Sequence, residues 1–206
     1  MSKVLEAIKQ RRSVRKFLPR PVPDKVVQEV LEAAGFAPSA HNSQPWRFIF
    51  LSEAKLKREL ALAVVDSWAV DLTKDGLAVN EQTRKERYER YAKAPVLILA
   101  CLTMDGLREF SDSDRQSFER DLAVQSLGAS LQTLLLAVHE AGLGACWFSA
   151  PGFCKPTIRK VLEIPREVEP QAFIVMGYAD EKPTVPNKKK VDQYCFKNRW
   201  GENLRI

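Results

Sequence analysis

A basic cluster near the amino end contains the residues best suited to bind an anion. Arg11, Arg12 and Arg15 lie within five residues, and Ser13 stands among them. A guanidinium presents a planar fork of N–H donors that matches a phosphate, and a serine hydroxyl adds another donor. In an extended backbone Arg11, Ser13 and Arg15 share one face. The cluster predicts a site for a dianion, and the alternative is a solvated basic turn.

Two further stretches are unusual in their polar content. Residues 37–46 read Ala-Pro-Ser-Ala-His-Asn-Ser-Gln-Pro-Trp, which predicts a loop rich in hydrogen-bonding groups. Residues 188–190 are three lysines, and the net charge is +6. Two compact basic clusters favour a phosphorylated ligand over a long polyanion, and no nucleic-acid-binding motif is present. We therefore expect no nucleic-acid partner.

Cysteine and histidine usage argues against a metal site. The four cysteines form no C-x-x-C pair, and the chain has only two histidines. We expect no metal. No apolar run approaches the ~20 residues of a membrane span, and the first residues form an amphipathic pattern with an early acid rather than a signal peptide. The expectation is a cytoplasmic protein with no membrane partner.

The periodicity predicts helices around a small sheet in one domain, residues 1–206. Helices are expected over 3–11, 24–35, 53–66 and 155–162, and strands over 47–51, 96–102, 145–148 and 171–178. The charged residues 67–93 are interpreted as a helical excursion over the body. The aromatic residues of 190–206 indicate a C-terminal arm packed on another surface, such as a second subunit.

One long pattern, residues 116–141, is apolar on almost every side. Such a helix must be covered all round. At ~1.5 Å per residue it spans nearly 40 Å, which exceeds what one subunit of this size encloses. Small residues that allow another helix to approach are Ser126, Gly128, Ala129 and Ser130. We predict a helix at a dimer interface, and the alternative is the core helix of a monomer.

Three stretches in register resemble the nitroreductase family of flavin enzymes. They are Arg-Arg-Ser-Val-Arg-Lys-Phe at 11–17, Ala-Pro-Ser-Ala-His-Asn-Ser-Gln-Pro-Trp-Arg-Phe at 37–48, and Gly-Leu-Gly-Ala-Cys-Trp at 142–147. The closing Asn198-Arg199-Trp200 is also similar to the end of many members. The resemblance implies an α+β fold with a small mixed or antiparallel sheet of four or five strands, a long central helix, and an intertwined homodimer. It also implies two FMN molecules in each dimer, both bound at the subunit interface.

The resemblance further implies which residues touch FMN. The first motif holds the phosphate and pyrimidine edge, and the Pro-Ser loop reaches the flavin from the partner subunit. A backbone N–H after the Gly-Leu-Gly turn lies near flavin N5, and a basic pair closes on the phosphate, with lysine here where arginine is common. The implied residues are Arg11, Arg12, Ser13, Arg15, Pro38, Ser39, Ala40, Asn42, Gln44, Ser149, Ala150, Lys188 and Lys189. No catalytic side chain is implied, because the cofactor supplies the chemistry.

The implied activity is ping-pong hydride transfer from NADH or NADPH, through flavin N5, to a conjugated acceptor such as a nitroaromatic, a quinone or an enone. The spacing of Trp68, Asp71 and Gly76 also resembles the flavin domain of the two-domain enzyme that completes the deazaflavin coenzyme of actinobacteria. That likeness implies reduction of a dehydro precursor. Substrate candidates are His41, Trp68 and Asp71, and each has a purely structural alternative. His41 would be an exposed loop residue, Trp68 would pack under the excursion, and Asp71 would be a solvated carboxylate. A flavin-binding store or sensor without turnover stays open.

Overall fold

The structure, a computed structural model, describes residues 2–204; the first residue and the last two residues of the predicted arm lie outside this range. Helices and strands alternate irregularly along the described chain. They are α1 (Lys3–Gln10), α2 (Asp24–Gly35), β1 (Trp46–Leu51), α3 (Ala54–Lys74), α4 (Glu81–Ala92), β2 (Val96–Leu102), α5 (Ser113–Glu140), β3 (Gly144–Phe148), α6 (Lys155–Leu162) and β4 (Glu169–Gly177). The α+β class is confirmed.

The four strands of the described chain form one antiparallel sheet in the order β1-β2-β4-β3. Every residue of β2 is buried, which explains its continuous apolar run, because a central strand is covered on both faces. The edge strands β1 and β3 are only partly buried. Beyond β3 the chain adds an isolated parallel bridge between Ser13 and Ala145, so the segment before α2 covers part of that edge within this subunit.

Two hydrophobic clusters cover the two faces of the sheet. Alternate residues of a strand point to opposite faces, so Ile98 and Ile174 pack with α2 and α5. Leu99 and Phe173 pack on the other face with residues of α3, α4 and α6. The molecule is a sheet between two helical layers, and each layer contributes to a different part of the site described below.

Helices α3 and α4 form a hairpin on one face. The predicted boundary between a helix at 53–66 and an excursion at 67–93 is wrong, because α3 continues without a break from Ala54 to Lys74. Only its first part carries buried apolar residues, among them Leu60 and Val64. The rest of α3 extends away from the core. The chain reverses direction at Gly76 (φ +73°), and α4 runs back beside α3.

Helix α5 has 28 residues, about 42 Å at 1.5 Å per residue. By length and composition alone it also passes the test for a membrane span, but a buried core helix passes the same test, and 44% of its most apolar window is buried inside this subunit. Ser126 and Ser130 do not face a free surface. Ser126 Oγ accepts the N–H of Ala40 (3.1 Å), and Ser130 Oγ donates to the carbonyl of Ala34 (2.9 Å). These two small residues pack within the subunit, and Gly128 is left with open space around its Cα.

Candidate functional site

The predicted anion-binding residues line one open cavity, here called the basic cleft. Its volume is about 1140 Å³. Its walls come from both ends of the chain and include Arg11, Arg12, Ser13, Arg15, Glu181, Lys188 and Tyr194. Lys189, predicted with Lys188, is exposed and does not line the cleft. Arg12, which an extended strand would turn away from its neighbours, lines it as well.

The cations of the basic cleft lack carboxylate partners. Among residues 2–204, none of Arg11, Arg12, Arg15 and Lys188 forms an ion pair. Arg12 Nε is also buried without a hydrogen-bond partner. Glu181 is the carboxylate in the cleft, and it accepts the backbone N–H groups of Arg15 (2.5 Å) and Lys16 (3.2 Å) rather than a guanidinium. The unpaired donors fit a phosphate, because a buried unpaired donor costs free energy that a bound anion recovers.

The turn after α5 positions the basic cluster. Gly142 (φ +72°) ends α5 in the left-handed conformation that favours glycine. Gly144 then lets the chain before Val14 approach closely, since a Cβ on Gly144 would lie 2.7 Å from Val14 Cβ. The Val14 N–H donates to the Ala145 carbonyl (2.9 Å), and Ser13 bridges to Ala145. The first and third sequence motifs are thus physically paired along β3.

The Pro-Ser loop adopts a strained conformation. His41, Asn42 and Gln44 all have positive φ, at 54°, 51° and 46°. For L-residues other than glycine this costs about 1–3 kcal/mol each and clusters at functional sites. Ser39 Oγ, which accepts the Gln44 N–H at 3.0 Å, and the Ala40–Ser126 bond hold the loop on α5. The predicted residues Pro38, Ser39, Ala40, Asn42 and Gln44 therefore form one preorganised, partly exposed surface.

His41 lies away from any of the cavities that hold the other predicted residues. Its Nε2 is 3.5 Å from a carboxylate oxygen of Glu119, a side chain that is only 5% exposed. Glu119 is a buried acid on α5, and the sequence did not mark it because Arg120 and Asp121 beside it are typical of a solvated helix face. The pair connects the strained loop to α5, which suits a positioning role for His41 better than contact with substrate in the same subunit.

Within one subunit the strained loop and the basic cleft lie at diagonally opposite corners of the sheet. The loop leads into Trp46, the first residue of edge strand β1, and Trp46 pairs with Leu102 of β2. The cleft borders Ala145 on the other edge strand, β3. Ala145 pairs with Met176 of β4, and Met176 in turn pairs with Val96 of β2. Three strand spacings and six residues along β2 separate these corners by roughly 25 Å. One subunit does not bring the two predicted halves of the site together.

A second hollow of about 420 Å³, here called the aromatic cavity, lies between α3, α4 and the segment after β3. It brings together four predicted residues, Trp68, Asp71, Ser149 and Ala150. Tyr91 stands edge-on to Phe148 in its wall, with ring centroids 5.9 Å apart at 89°. Asp71 is half exposed and paired with Lys74 at 2.9 Å. A cavity with this lining can hold a flat conjugated ring.

Sequence reasoning missed most residues of the aromatic cavity, and three of these bear on its chemistry. Arg87 and Arg90 lie in its wall, each over an aromatic ring, and Cys154 closes its base. Burial, with a smaller contribution from Asp71, raises the pKa of Cys154 to about 11. Cys154 is therefore an inert neutral thiol. The two arginines sit on a charged helix whose pattern is typical of a solvated face, so no local signal marked them.

Strand β3 connects the two hollows. Its Ala145 end borders the basic cleft, and its Phe148 end borders the aromatic cavity. Three residues of strand separate them by about 10 Å. Burial raises the pKa of the Cys146 thiol, which lies between the two hollows. The positive charges of Arg15, Arg90 and Arg11 lower that pKa by a smaller amount. Across residues 2–204, no group of three or more His, Cys, Asp or Glu side chains is arranged to hold a metal ion.

Comparison with known proteins places these features in a family. The model of the nitroreductase family matches residues 8–178. A protein of Methanothermobacter thermautotrophicus named as an NADH dehydrogenase/NAD(P)H nitroreductase is 31% identical over 182 residues, which are 87% of this chain and 79% of that protein.

Two solved structures share the fold. A BluB-like flavoprotein from Clostridium difficile has a TM-score of 0.76 at 24% identity, covering 97% of this chain and all of that one. An FMN-dependent nitroreductase from Mycobacterium smegmatis, in complex with NADPH, has a TM-score of 0.74 at 23% identity, covering 96% of this chain and 99% of that one. At this sequence identity, the two structures show only that the fold is shared.

Proposed function

Because the chain belongs to the nitroreductase family, we propose that it is a homodimeric, FMN-dependent oxidoreductase that moves a hydride from NADH or NADPH to a conjugated organic acceptor in the cytoplasm. One observation carries the proposal. Strand β3 joins a cleft of unpaired cations to an aromatic cavity about 10 Å away. That arrangement suits a ligand with a phosphate at one end and a flat ring at the other.

The residues present fit FMN. A phosphomonoester carries about −1.5 to −2 charges near pH 7, and Arg11, Arg12, Arg15 and Lys188 supply unpaired positive charge in one cleft. Arg12 Nη1 donates to the carbonyls of Lys9 and Arg11, while Arg12 Nε is a buried donor without a partner, which suits an anion in the cleft. When bound, FMN supplies a ring that accepts and returns a hydride. The protein binds the phosphate, orients the ring and shields it from water.

The separation of the two halves supports a homodimer. The strained loop with Ser39, Asn42 and Gln44 lies roughly 25 Å from the basic cleft of its own subunit, so we assign it to the site of the partner subunit. Large apolar side chains lie exposed on this subunit, including Phe36 (89%) and Trp200 (91%). A partner subunit would remove these side chains from water, which adds support to the proposed dimer. In this proposal the single domain and its arm from residue 190 belong to one interlocked dimer.

The donor and the acceptor bind in turn at the aromatic cavity, beside the ring of FMN. The Methanothermobacter thermautotrophicus relative, 31% identical to this chain, is named as an NADH dehydrogenase/NAD(P)H nitroreductase, which supports a nicotinamide nucleotide as donor here. For the acceptor, the lining of Trp68, Tyr91 and Phe148 suits nitroaromatics, quinones and enones. The second candidate, reduction of a dehydro deazaflavin precursor, is favoured by Trp68, Asp71, Leu72 and Asp75 lining this same cavity.

The test is anaerobic stopped-flow absorbance of the purified, FMN-reconstituted protein. We expect NADH or NADPH to bleach the flavin absorbance, and a nitroaromatic, quinone or enone to restore it. A deazaflavin precursor that restores it with the highest kcat/KM selects the second candidate. A colourless protein that takes up no FMN contradicts the proposal. A yellow protein that neither nucleotide bleaches identifies a flavin store or sensor instead.

A further inference from the structure

Two arginines of α4 lie side by side in the wall of the aromatic cavity. Arg87 and Arg90 are three residues apart, which places them on one face of the helix. The guanidinium carbon of Arg87 is 4.1 Å from the ring centroid of Trp68, and that of Arg90 is 4.7 Å from the centroid of Phe148. Both side chains are half-buried. Their positive charges are held at the surface a bound ring would touch.

These charges are not neutralised inside the part of the chain that the structure describes. Neither arginine forms an ion pair there, whereas Arg84, one turn earlier, pairs with Asp66 (2.5 Å) and Glu81 (3.7 Å). Two carboxylates face the same cavity. Asp71 is paired with Lys74 at 2.9 Å, and Asp75 is exposed at the end of α3. The cavity wall therefore keeps two unmatched cations.

Stacking leaves the edge of a guanidinium free. An arginine that lies over an aromatic ring still directs N–H donors outward in its plane, where a carboxylate or phosphate binds in bidentate fashion. Partial burial limits screening by salt, so such a contact is worth more here than on an open surface. The arrangement combines aromatic faces for a ring with two donors for an anion attached to it.

We propose that Arg87 and Arg90 make the aromatic cavity selective for acceptors that carry an anionic group on a flat conjugated ring. The inference rests on the proposed function, since it assigns the substrate class of that same site. The ring packs against Trp68 and Phe148, and the carboxylate, sulfonate or phosphate receives charge-assisted hydrogen bonds from the two arginines. Both residues are specificity-determining, and the hydride transfer itself does not use them.

The first experiment compares two acceptors of matched size, 4-nitrobenzoate and 4-nitrobenzamide, with the FMN-loaded protein. We expect a higher kcat/KM for the anion. Arg87→Gln and Arg90→Gln should each lower the ratio of anionic to neutral kcat/KM about tenfold, the usual effect of losing one hydrogen bond to a charged group. Lys85→Gln is the matched control, because it removes one exposed positive charge from the same helix outside the cavity. It should leave the ratio unchanged.

The second experiment measures binding without turnover. Calorimetric titration of the FMN-loaded protein with 2-naphthoate should give a lower Kd than titration with 2-naphthamide. The difference should shrink in 0.5 M salt, where the Debye length falls to about 4 Å, and in both arginine variants. Circular dichroism of each variant verifies that α4 is intact.

Three outcomes overturn the assignment. The first is an equal preference for both acceptors in the wild type, and the second is a ratio that the Gln substitutions leave unchanged. The third is slower bleaching by NADPH in the variants with an unchanged acceptor ratio, which would assign the arginines to the phosphates of the donor. Failure of the proposed function is distinct. In that case neither nucleotide bleaches the flavin, and naphthoate selectivity still reports on the two arginines.

Discussion

The basic cleft and the aromatic cavity lie at the two ends of one short strand but are built in different ways. The cleft takes most of its donors from residues 11–15, which are contiguous in sequence. The cavity collects side chains from α3, α4 and the segment after β3, so its members, from Val64 to Cys154, are separated by up to 90 residues. The cleft is crowded with positive charge, and the cavity is aromatic with two cations in its wall. A phosphate site can be encoded locally, while a ring site depends on packing.

The largest effect is expected from a substitution that blocks the association of two subunits. Gly128 lies in the middle of α5, and a Cβ added there meets nothing within 4 Å. Gly128→Trp should leave the subunit folded but block a second helix from approaching. We expect monomers by light scattering and no detectable FMN in the basic cleft, because the partner's loop is then missing. A monomer that still binds FMN normally would mean that the cleft is sufficient by itself.

Gly128→Ala is the control for that experiment. Alanine gains about 1 kcal/mol of helix propensity over glycine, and the space around Gly128 accepts one methyl group within the subunit. The variant should unfold in urea at an equal or higher midpoint. A variant that remains dimeric with FMN bound shows that bulk at position 128, and not the loss of glycine, acts on the assembly.

The next effect distinguishes the two hollows. Arg12→Gln removes a guanidinium with an unpaired Nε from the basic cleft. Since a hydrogen bond to a charged group contributes about 1.5–3 kcal/mol, the Kd for FMN should rise roughly 10- to 100-fold in a fluorescence titration. Lys25→Gln removes an exposed charge from α2 and should change nothing. If both variants weaken FMN equally, net charge rather than the cleft governs binding.

The smallest effect probes the base of the aromatic cavity. The pKa of Cys154 is about 11 and that of Cys101 about 12, both raised mainly by burial. At pH 8 only about one Cys154 thiol in a thousand is ionised, and raising the pH to 9 leaves it almost entirely neutral. Iodoacetamide should therefore label the half-exposed Cys195 alone, as counted by intact mass. Rapid labelling of Cys154 would show that water enters the cavity freely.

Much of the fold was predictable because strong local signals bound each element. Helix α2 follows Pro23 and ends at Gly35, and β2 follows Pro95 as an unbroken apolar run, so both match the predicted ranges. The end of α3 was misplaced because one helix changes from a buried to a solvent-facing pattern at residue 66 without a breaking residue. Helical periodicity reports which side is covered, and it does not report where the neighbouring element ends.

The candidate site was predicted only where its residues are adjacent in the sequence. The motif at 11–15 carries its own chemistry, and pairing with Ala145 merely holds it in place. Ser126 and Ser130 have the small side chains expected at a helix contact, but the contact is made with the loop and α2 of the same subunit. Arg87 and Arg90 acquire their role only when α4 folds back over Trp68 and Phe148. Nothing in a charged helix distinguishes those two residues from Lys85.

The diagonal placement of the strained loop and the basic cleft has a consequence for mixtures of damaged chains. Suppose one chain type has a defective cleft and the other a defective loop. In the dimer that we propose, each type alone assembles with every site impaired, and a pairing of the two combines the sound cleft of one with the sound loop of the other. Such a hybrid carries one fully competent centre and one doubly impaired centre, so two inactive preparations regain activity when their subunits are exchanged.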